Sequence, residues 1–192
     1  MSFTGAGVLI VELYKSEPVI TLFGLNNTNF SDLGGKLNLG ENVEFGAYRE
    51  AREESANLIN IYPNKLLQYG ISVIIGEYQC YVIYVKNLSM RDYIHNINHI
   101  FGTCNDDSWT ETNIMTRINL FDIIKAANNG INNILDIYGN RCYIRERTMK
   151  VIRTGANKIL SLITTPPILL QRNIVVHSKM PFLIGTYTYI GA

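Results

Sequence analysis

The stretch from Gly35 to Glu54 constrains this chain more than any other. Its skeleton is Gly35, five residues, Glu41, seven residues, Arg49-Glu50, two residues, then Glu53-Glu54. From Asn42 to Ala56 there is no proline and one internal glycine, Gly46, so the segment reads as a helix. Asn42 suits the N-cap, and Glu44 falls in the first turn, where the helix dipole favours an anion. At about 100° per residue, Glu50, Glu53 and Glu54 lie within roughly 100° of one another on that helix. Three carboxylates on one face repel unless a cation sits among them, and hard divalent cations such as Mg²⁺ prefer oxygen ligands. Arg49 lies just off that face, within reach of a carboxylate, and Arg52 lies on the far side. Leu33-Gly34-Gly35-Lys36-Leu37 enters the helix as a loop or short strand, and its glycines let backbone approach a phosphate closely. Read alone, the charged face is a solvated one; the glycine lead-in favours a catalytic one.

This skeleton resembles the Nudix box, the signature of hydrolases that cut diphosphate bonds in nucleoside-diphosphate-linked substrates. Six fixed positions match at the family spacing, a coincidence of about one in a hundred thousand for ordinary residue usage in a chain this long. The resemblance implies an α+β Nudix fold, a mixed β-sheet sandwiched between α-helices. It implies Mg²⁺ or Mn²⁺ held by Glu50, Glu53 and Glu54, with Gly35 at the metal site. Glu50 and Glu54 are the firmest ligands, and Glu53 is a ligand or the base that takes the proton of the attacking water. Arg49 and Glu41 hold the carboxylates in place. Gly34 and Gly35 line the phosphate path, and Lys36 contacts phosphate. Many family members add a carboxylate from a loop beyond the box. Glu111 is the preferred candidate here, in competition with Asp106, Asp107 and Glu77, while Trp109 either stacks on a base or packs. The family pattern closes with glycine and an aliphatic residue, where this chain has Ala56 and Asn57. We therefore expect the helix to run one residue longer, with Asn57 in the left-handed ending and Leu58 in the aliphatic place.

The rest of the chain reads as a small enzyme. At 192 residues it is one domain, 1–192, with a helical and strand extension from about residue 130 that resembles nothing recognised. Hydrophobic content of 47% supports a full core, and a net charge of +1 gives no global attraction to nucleic acid or membrane. Cys80, Cys104 and Cys142 are odd in number and widely spaced, which points away from a disulfide framework and toward a reducing, cytoplasmic compartment. The N-terminus reads as a strand and no apolar run is long enough to span a membrane, so neither a signal peptide nor a membrane partner is expected. The 21 asparagines and 26 isoleucines suggest an AT-rich genome, such as that of a large DNA virus, a protist parasite or an AT-rich bacterium. That bias concerns codons rather than function.

Along the chain, Gly7–Tyr14 and Pro18–Leu25 read as a hairpin, Leu25–Leu33 as a polar loop, and Tyr69–Ile75 and Tyr78–Val85 as strands joined at Gly76-Glu77. Ser89–Phe101 and Leu120–Ala127 read as helices, as do Ile131–Tyr138 and the longer Tyr143–Leu162. Pro166-Pro167 ends the last helix, and a strand-like tail follows over Asn173–Tyr189. His95 and His99 have zinc spacing without a third ligand and read as a surface pair, and His177 is isolated. Gly5-Ala6-Gly7 precedes a strand, so it is not a dinucleotide fingerprint. In the last helix, Arg147, Lys150, Arg153 and Lys158 lie mainly opposite the apolar residues. They form either a solvated back or a basic rim for a polyanion, with Arg141 and Arg145 adding to it. Within the resemblance the substrate is a small nucleotide or the 5′ cap of mRNA. The alternatives are a diphosphoinositol polyphosphate, or a catalytically inactive Nudix-fold module that binds RNA or nucleotide. Oligomeric state is left open, a homodimer included.

Overall fold

The computed structural model describes residues 2–25, 28–86, 88–103 and 111–164. The first strand, β1 (Gly5–Tyr14), is buried along nearly its whole length, as its unbroken apolar run requires of a strand covered on both faces. Lys15 and Ser16 turn with φ of 50° and 71° into β2 (Glu17–Leu25), the left-handed pair that suits the twist of a two-residue hairpin. β3 (Thr28–Ser31) and β4 (Leu33–Lys36) follow. After the helices α1 (Val43–Glu54) and α2 (Pro63–Tyr69) come β5 (Ile71–Ile75) and β6 (Tyr78–Val85), joined by Gly76 at φ 59°. Helix α3 (Met90–Thr103), β7 (Ile114–Asn119) and α4 (Leu120–Asn128) complete the middle of the chain. A small hairpin, β8 (Asn133–Leu135) and β9 (Arg141–Tyr143), leads into α5 (Glu146–Thr164).

Among the described residues the main sheet has seven strands, in the order β3-β2-β1-β6-β5, with β4 on β1 and β7 on β2. The β1–β6 pairing is parallel and the others are antiparallel. Because β6 takes one edge of β1, β2 and β4 share the other: β2 pairs with Ile10–Tyr14 and β4 with Gly5–Val8. The hairpin strands thus splay, and β4 fills the opening against the N-terminal half of β1. One face of the sheet packs against α1, α2 and α3 through Ala47, Ala51, Leu66, Tyr93 and Ile97. The other packs against α4 and α5 through Ile123, Ala126, Val151, Ile152 and Ile159. This mixed sheet between two helical layers is the α+β architecture expected from the sequence. No helix among the described residues is long and apolar enough to cross a membrane.

Several elements differ from the sequence reading. Leu25–Leu33 is not all loop, because β3 pairs with β2 there; four residues with Asn29 at φ 53° are too short and irregular to show a period. Tyr69 ends α2, a helix opened by Pro63 at its first turn, and does not belong to the following strand. Ile131–Tyr138 is not helical. Asp136 accepts hydrogen bonds from the amides of Tyr138 (2.9 Å) and Asn140 (2.8 Å), which folds the segment into the β8–β9 hairpin instead. Tyr143 closes β9, so α5 starts at Glu146. The chain beyond residue 130 also supplies α5, which with α4 forms one of the two layers that cover the sheet. Cys80 and Cys142 are free and buried, and His95 and His99 are both exposed on α3. Cys104, Asp106, Asp107, Trp109, Pro166-Pro167, His177 and the tail lie outside the described residues.

Candidate active site

The box begins where β4 meets β1. Gly34 faces Gly7 in that pairing, and Gly35 faces Ala6. Asn42 caps α1 by accepting from the Phe45 amide at 3.0 Å, as the sequence suggested, and this fixes the rotation of the helix. Ala47 and Ala51 then face the sheet, and Glu50 and Glu54, one turn apart, are drawn into the buried side with them. Only glycine at 35 permits this. A Cβ there would lie 2.5–2.8 Å from three atoms of the Glu50 carboxyl group.

Arg49 is the hub of the exposed half. Its Nε donates to Glu41 Oε1 (2.9 Å) and Nη2 to Glu41 Oε2 (2.9 Å), while Nη1 donates to Glu50 (2.8 Å) and Glu53 (3.1 Å). Nη2 also donates to the Lys36 carbonyl at 2.9 Å, tying the helix to the end of β4; the Lys36 side chain itself is exposed. Glu41 accepts in addition from the Asn38 amide. Burial opposes its charge, but the Arg49 bonds outweigh that and hold its pKa below the ordinary value. The Glu41 bonds are also the largest influence holding Arg49 firmly protonated.

Glu54 sits deeper. Its Oε2 accepts from the Gly34 amide at 2.6 Å, and its backbone carbonyl accepts from the Thr112 hydroxyl, which in turn accepts from Tyr93. Burial, then the nearby Glu50 charge, push its carboxyl pKa well above the ordinary range, against the Gly34 bond. Glu50 is raised by burial too. Arg49 opposes that shift and Glu111 adds to it, so the exposed Glu111 shares the electrostatic neighbourhood of the box. Glu77 is exposed on the β5–β6 turn.

Behind this face, α5 sends Arg147 toward the same strand. Its Nη2 donates to the Gly34 carbonyl at 2.7 Å and lies 3.5 Å from Asp32 Oδ1, and its guanidinium stacks over the Tyr78 ring at 4.4 Å. Arg147 thus differs from Lys150, which is exposed and paired with Glu146, and from the exposed Arg153 and Lys158. The Arg147 Nε is buried without an acceptor, which costs about 1–3 kcal/mol that the stacking and the Asp32 charge must offset. Asp32 is fully buried and also accepts from Tyr78 (2.5 Å) and Thr148 (2.5 Å). The Tyr78 hydroxyl reaches Asp32 through a gap that two facing glycines leave open. A Cβ on Gly7 or Gly34 would lie 2.0 or 2.1 Å from that oxygen.

The sequence reading missed Asp32, Tyr78 and Thr148. Their trace in the sequence was a set of glycines, Gly5, Gly7 and Gly34, now explained by close approach to Tyr78 and neighbouring backbone. The end of the box also needs correction. Helix α1 stops at Glu54, not later; Ala56 takes the left-handed conformation where the Nudix pattern has glycine (φ 52°), and Asn57 is left-handed as expected, at φ 60°. The Asn57 amide bonds to the Arg52 carbonyl at 2.7 Å and the Asn96 side chain donates to the Ala56 carbonyl at 3.0 Å, which together hold the strained pair. Leu58 is buried, as expected.

On the far side of α1 lies a groove of about 740 Å³ beside Phe45, Tyr48, Tyr62 and Leu67. Tyr48 and Tyr62 stack on each other at 5.6 Å, so the groove offers no open slot between two rings.

No family model and no curated protein matches the chain. Solved structures do. An Ap4A hydrolase binary complex from C. elegans is 14% identical over 82% of this chain and 98% of its own, with a TM-score of 0.46. The NUDIX domain of Shewanella oneidensis NrtR, complexed with ADP ribose, is 8% identical over 83% and 89%, with a TM-score of 0.47. A MutT/nudix family protein from Enterococcus faecalis is 12% identical over 89% and 67%, with a TM-score of 0.48.

Proposed function

We propose that this chain is a metal-dependent Nudix-type hydrolase that cleaves a diphosphate linkage in a nucleoside-diphosphate-linked substrate. The observation that carries the reading is the meeting of Glu50 and Glu54 at β4, where Gly35 clears space for one carboxylate and the Gly34 amide orients the other.

The residues fit a hard divalent cation. The donors are all carboxylate oxygens; burial raises the proton affinity of both Glu50 and Glu54, and the Glu50 charge raises that of Glu54 further, which a cation would relieve. Among the described residues no group of three or more His, Cys, Asp or Glu is gathered as a ready-made cage. Arg49 explains this, because its guanidinium bonds both Glu50 and Glu53 and stands as their counter-charge. Binding of Mg²⁺ or Mn²⁺ by Glu50, Glu53 and Glu54 would leave Arg49 its two bonds to Glu41. When bound, the ion supplies charge screening at the diphosphate and lowers the pKa of water. The chain does the rest. Glu53, the most exposed of the three, would serve as a ligand or as the base that takes a proton from the attacking water, and Glu111 as the alternative base or an added ligand. Gly35 lets backbone lie against the phosphates, with Lys36 at the rim, whereas Gly34, whose backbone is taken by Glu54 and Arg147, does not. Lys150 and Arg153 face solvent, where a longer polyanion such as capped RNA would run.

The test is a hydrolysis screen with Mg²⁺ or Mn²⁺ across dinucleoside polyphosphates, nucleotide sugars, capped RNA and diphosphoinositol polyphosphates. The expected result is release of a phosphorylated product that EDTA abolishes. Binding without turnover on the whole panel would make the chain an inactive nucleotide- or RNA-binding module. Reversing the charges of Lys150 and Arg153 separates the first and third substrates: it raises KM and flattens the salt dependence only if RNA is the substrate.

A further inference from the structure

We propose that Arg147 is a positioning residue that sets the Glu54 carboxylate from the opposite layer of the fold, through the backbone of Gly34. The part concerning metal rests on the function proposed above.

Three observations converge on Gly34. Its amide donates to Glu54 at 2.6 Å, and its carbonyl accepts from Arg147 at 2.7 Å, so side chains from α1 and α5 hold both of its backbone groups. Within β4 those groups have no other fixed post, since among the described residues β4 pairs only with β1. Arg147 is itself held from two further sides, by the Tyr78 ring at 4.4 Å and by Asp32 at 3.5 Å, and Asp32 is anchored by Thr148 from the same helix. The chain of contacts therefore runs from α5 through Arg147 to Gly34 and on to Glu54. A basic rim would look different. Lys150 and Arg153 are exposed, whereas Arg147 is turned inward and leaves a buried Nε without an acceptor. The arrangement also accounts for a glycine at 34 that faces Arg147 and Tyr78 rather than the phosphate path. A side chain there would collide with the Tyr78 hydroxyl and with β1.

The experiment compares wild type with Arg147→Met, which keeps the stem over Tyr78 but removes the donors, and with Arg147→Lys, which keeps the charge. The first readout is the Gly34 amide proton resonance in metal-free protein. It is expected downfield in wild type, as a short bond to a carboxylate requires, displaced upfield in Arg147→Met and partly restored in Arg147→Lys. The second is Mn²⁺ affinity by electron paramagnetic resonance, expected to fall about 10–100-fold in Arg147→Met, as when a partner that orients a ligand is lost. In turnover, kcat is expected to fall with KM unchanged. An unmoved Gly34 resonance overturns the proposal, as does a raised KM with unchanged kcat, which would mean direct contact with substrate. A lowered melting temperature with unchanged Mn²⁺ affinity also overturns it, leaving Arg147 a structural residue. If wild type neither binds Mn²⁺ nor cleaves the panel, the hydrolase reading fails, and the Gly34 resonance alone still decides the role of Arg147.

Discussion

Alanine at 34 and alanine at 35 should fail in different ways, although the two glycines are adjacent. At Gly35 the three nearest atoms to an added Cβ all belong to the Glu50 carboxyl group, at 2.5–2.8 Å. Ordinary contact needs about 3.5 Å, so the carboxylate must move about 1 Å, and a side-chain tip can do so. Glu50 then weakens its 2.8 Å bond to Arg49, which keeps Glu41 and Glu53. That loss is partly offset by the lower chain entropy of alanine when unfolded, so stability should change by about 1 kcal/mol or less. A misplacement of about 1 Å at a reacting centre is worth about 100-fold in rate. At Gly34 the added Cβ meets the Tyr78 hydroxyl at 2.1 Å and two β1 backbone atoms, Ala6 O and Gly7 Cα, at 2.7 Å. Backbone cannot swing aside. The phenol leaves the buried Asp32, and the strands must part, for a combined cost of about 3–5 kcal/mol. In a chain of this size that lowers Tm by about 10 °C. Calorimetry with steady-state kinetics on the cleaved substrate separates the two. Wild-type turnover in Gly35→Ala, or a wild-type Tm in Gly34→Ala, would refute the geometry of β4 against α1 and β1.

Glu54→Gln should cost orders of magnitude in hydrolysis yet stabilise the metal-free protein at neutral pH. The folded Glu54 pKa stands well above its ordinary 4.5, so the group contributes stability that is fully present below pH 4.5, where it is protonated, and is lost as pH rises through the folded value and the buried carboxylate forms. Each unit of that rise is worth about 1.4 kcal/mol, and glutamine removes it. Calorimetry in EDTA should therefore show the Tm advantage of the variant shrinking to nothing as pH falls toward 4.5, and an advantage independent of pH contradicts the assignment. Asn57→Gly should be near neutral, while Asn57→Val, forced to φ 60°, should lose about 1–2 kcal/mol in a urea titration. Arg117→Met should lose about 3–5 kcal/mol by the same measurement. It strands the fully buried Glu12, which Arg117 meets at 2.6 Å, without its cation.

What the sequence made legible is what short-range chemistry decides. The spacing of Glu50, Glu53 and Glu54 on one helix, the Asn42 cap and the hairpin that joins the first two strands each depend on residues within one or two turns of each other. So does the reach of Arg49 to Glu53, four residues on. Misread elements had their local signal overruled. Ile131–Tyr138 is apolar enough for a helix, but Asp136 takes the Tyr138 and Asn140 amides and closes a hairpin instead. Ala56 adopts φ 52° although alanine disfavours it, because Asn96 on α3 and the buried Leu58 fix the exit of the box. A sequence read one segment at a time carries neither restraint.

The network around Asp32 lay furthest from sequence reading because it joins three parts of the chain that share no pattern. Asp32 follows β3, Tyr78 opens β6, and Arg147 and Thr148 lie in the first turn of α5, more than 100 residues from Asp32. The trace they leave is negative. Gly7 and Gly34 are glycines because a hydroxyl from a third strand passes between them, and Gly35 is glycine because a carboxylate from a helix does the same on the opposite face. Two adjacent glycines thus serve opposite layers of one sheet, as the alternation of a strand dictates. The phosphate-path reading of both glycines treated them as one feature. The structure separates them, since only the Gly35 face opens onto Glu50, while the Gly34 face is filled by Tyr78. Backbone access for a phosphate is therefore to be sought at Gly35 and toward Lys36, where β4 ends and its backbone carbonyl already meets Arg49.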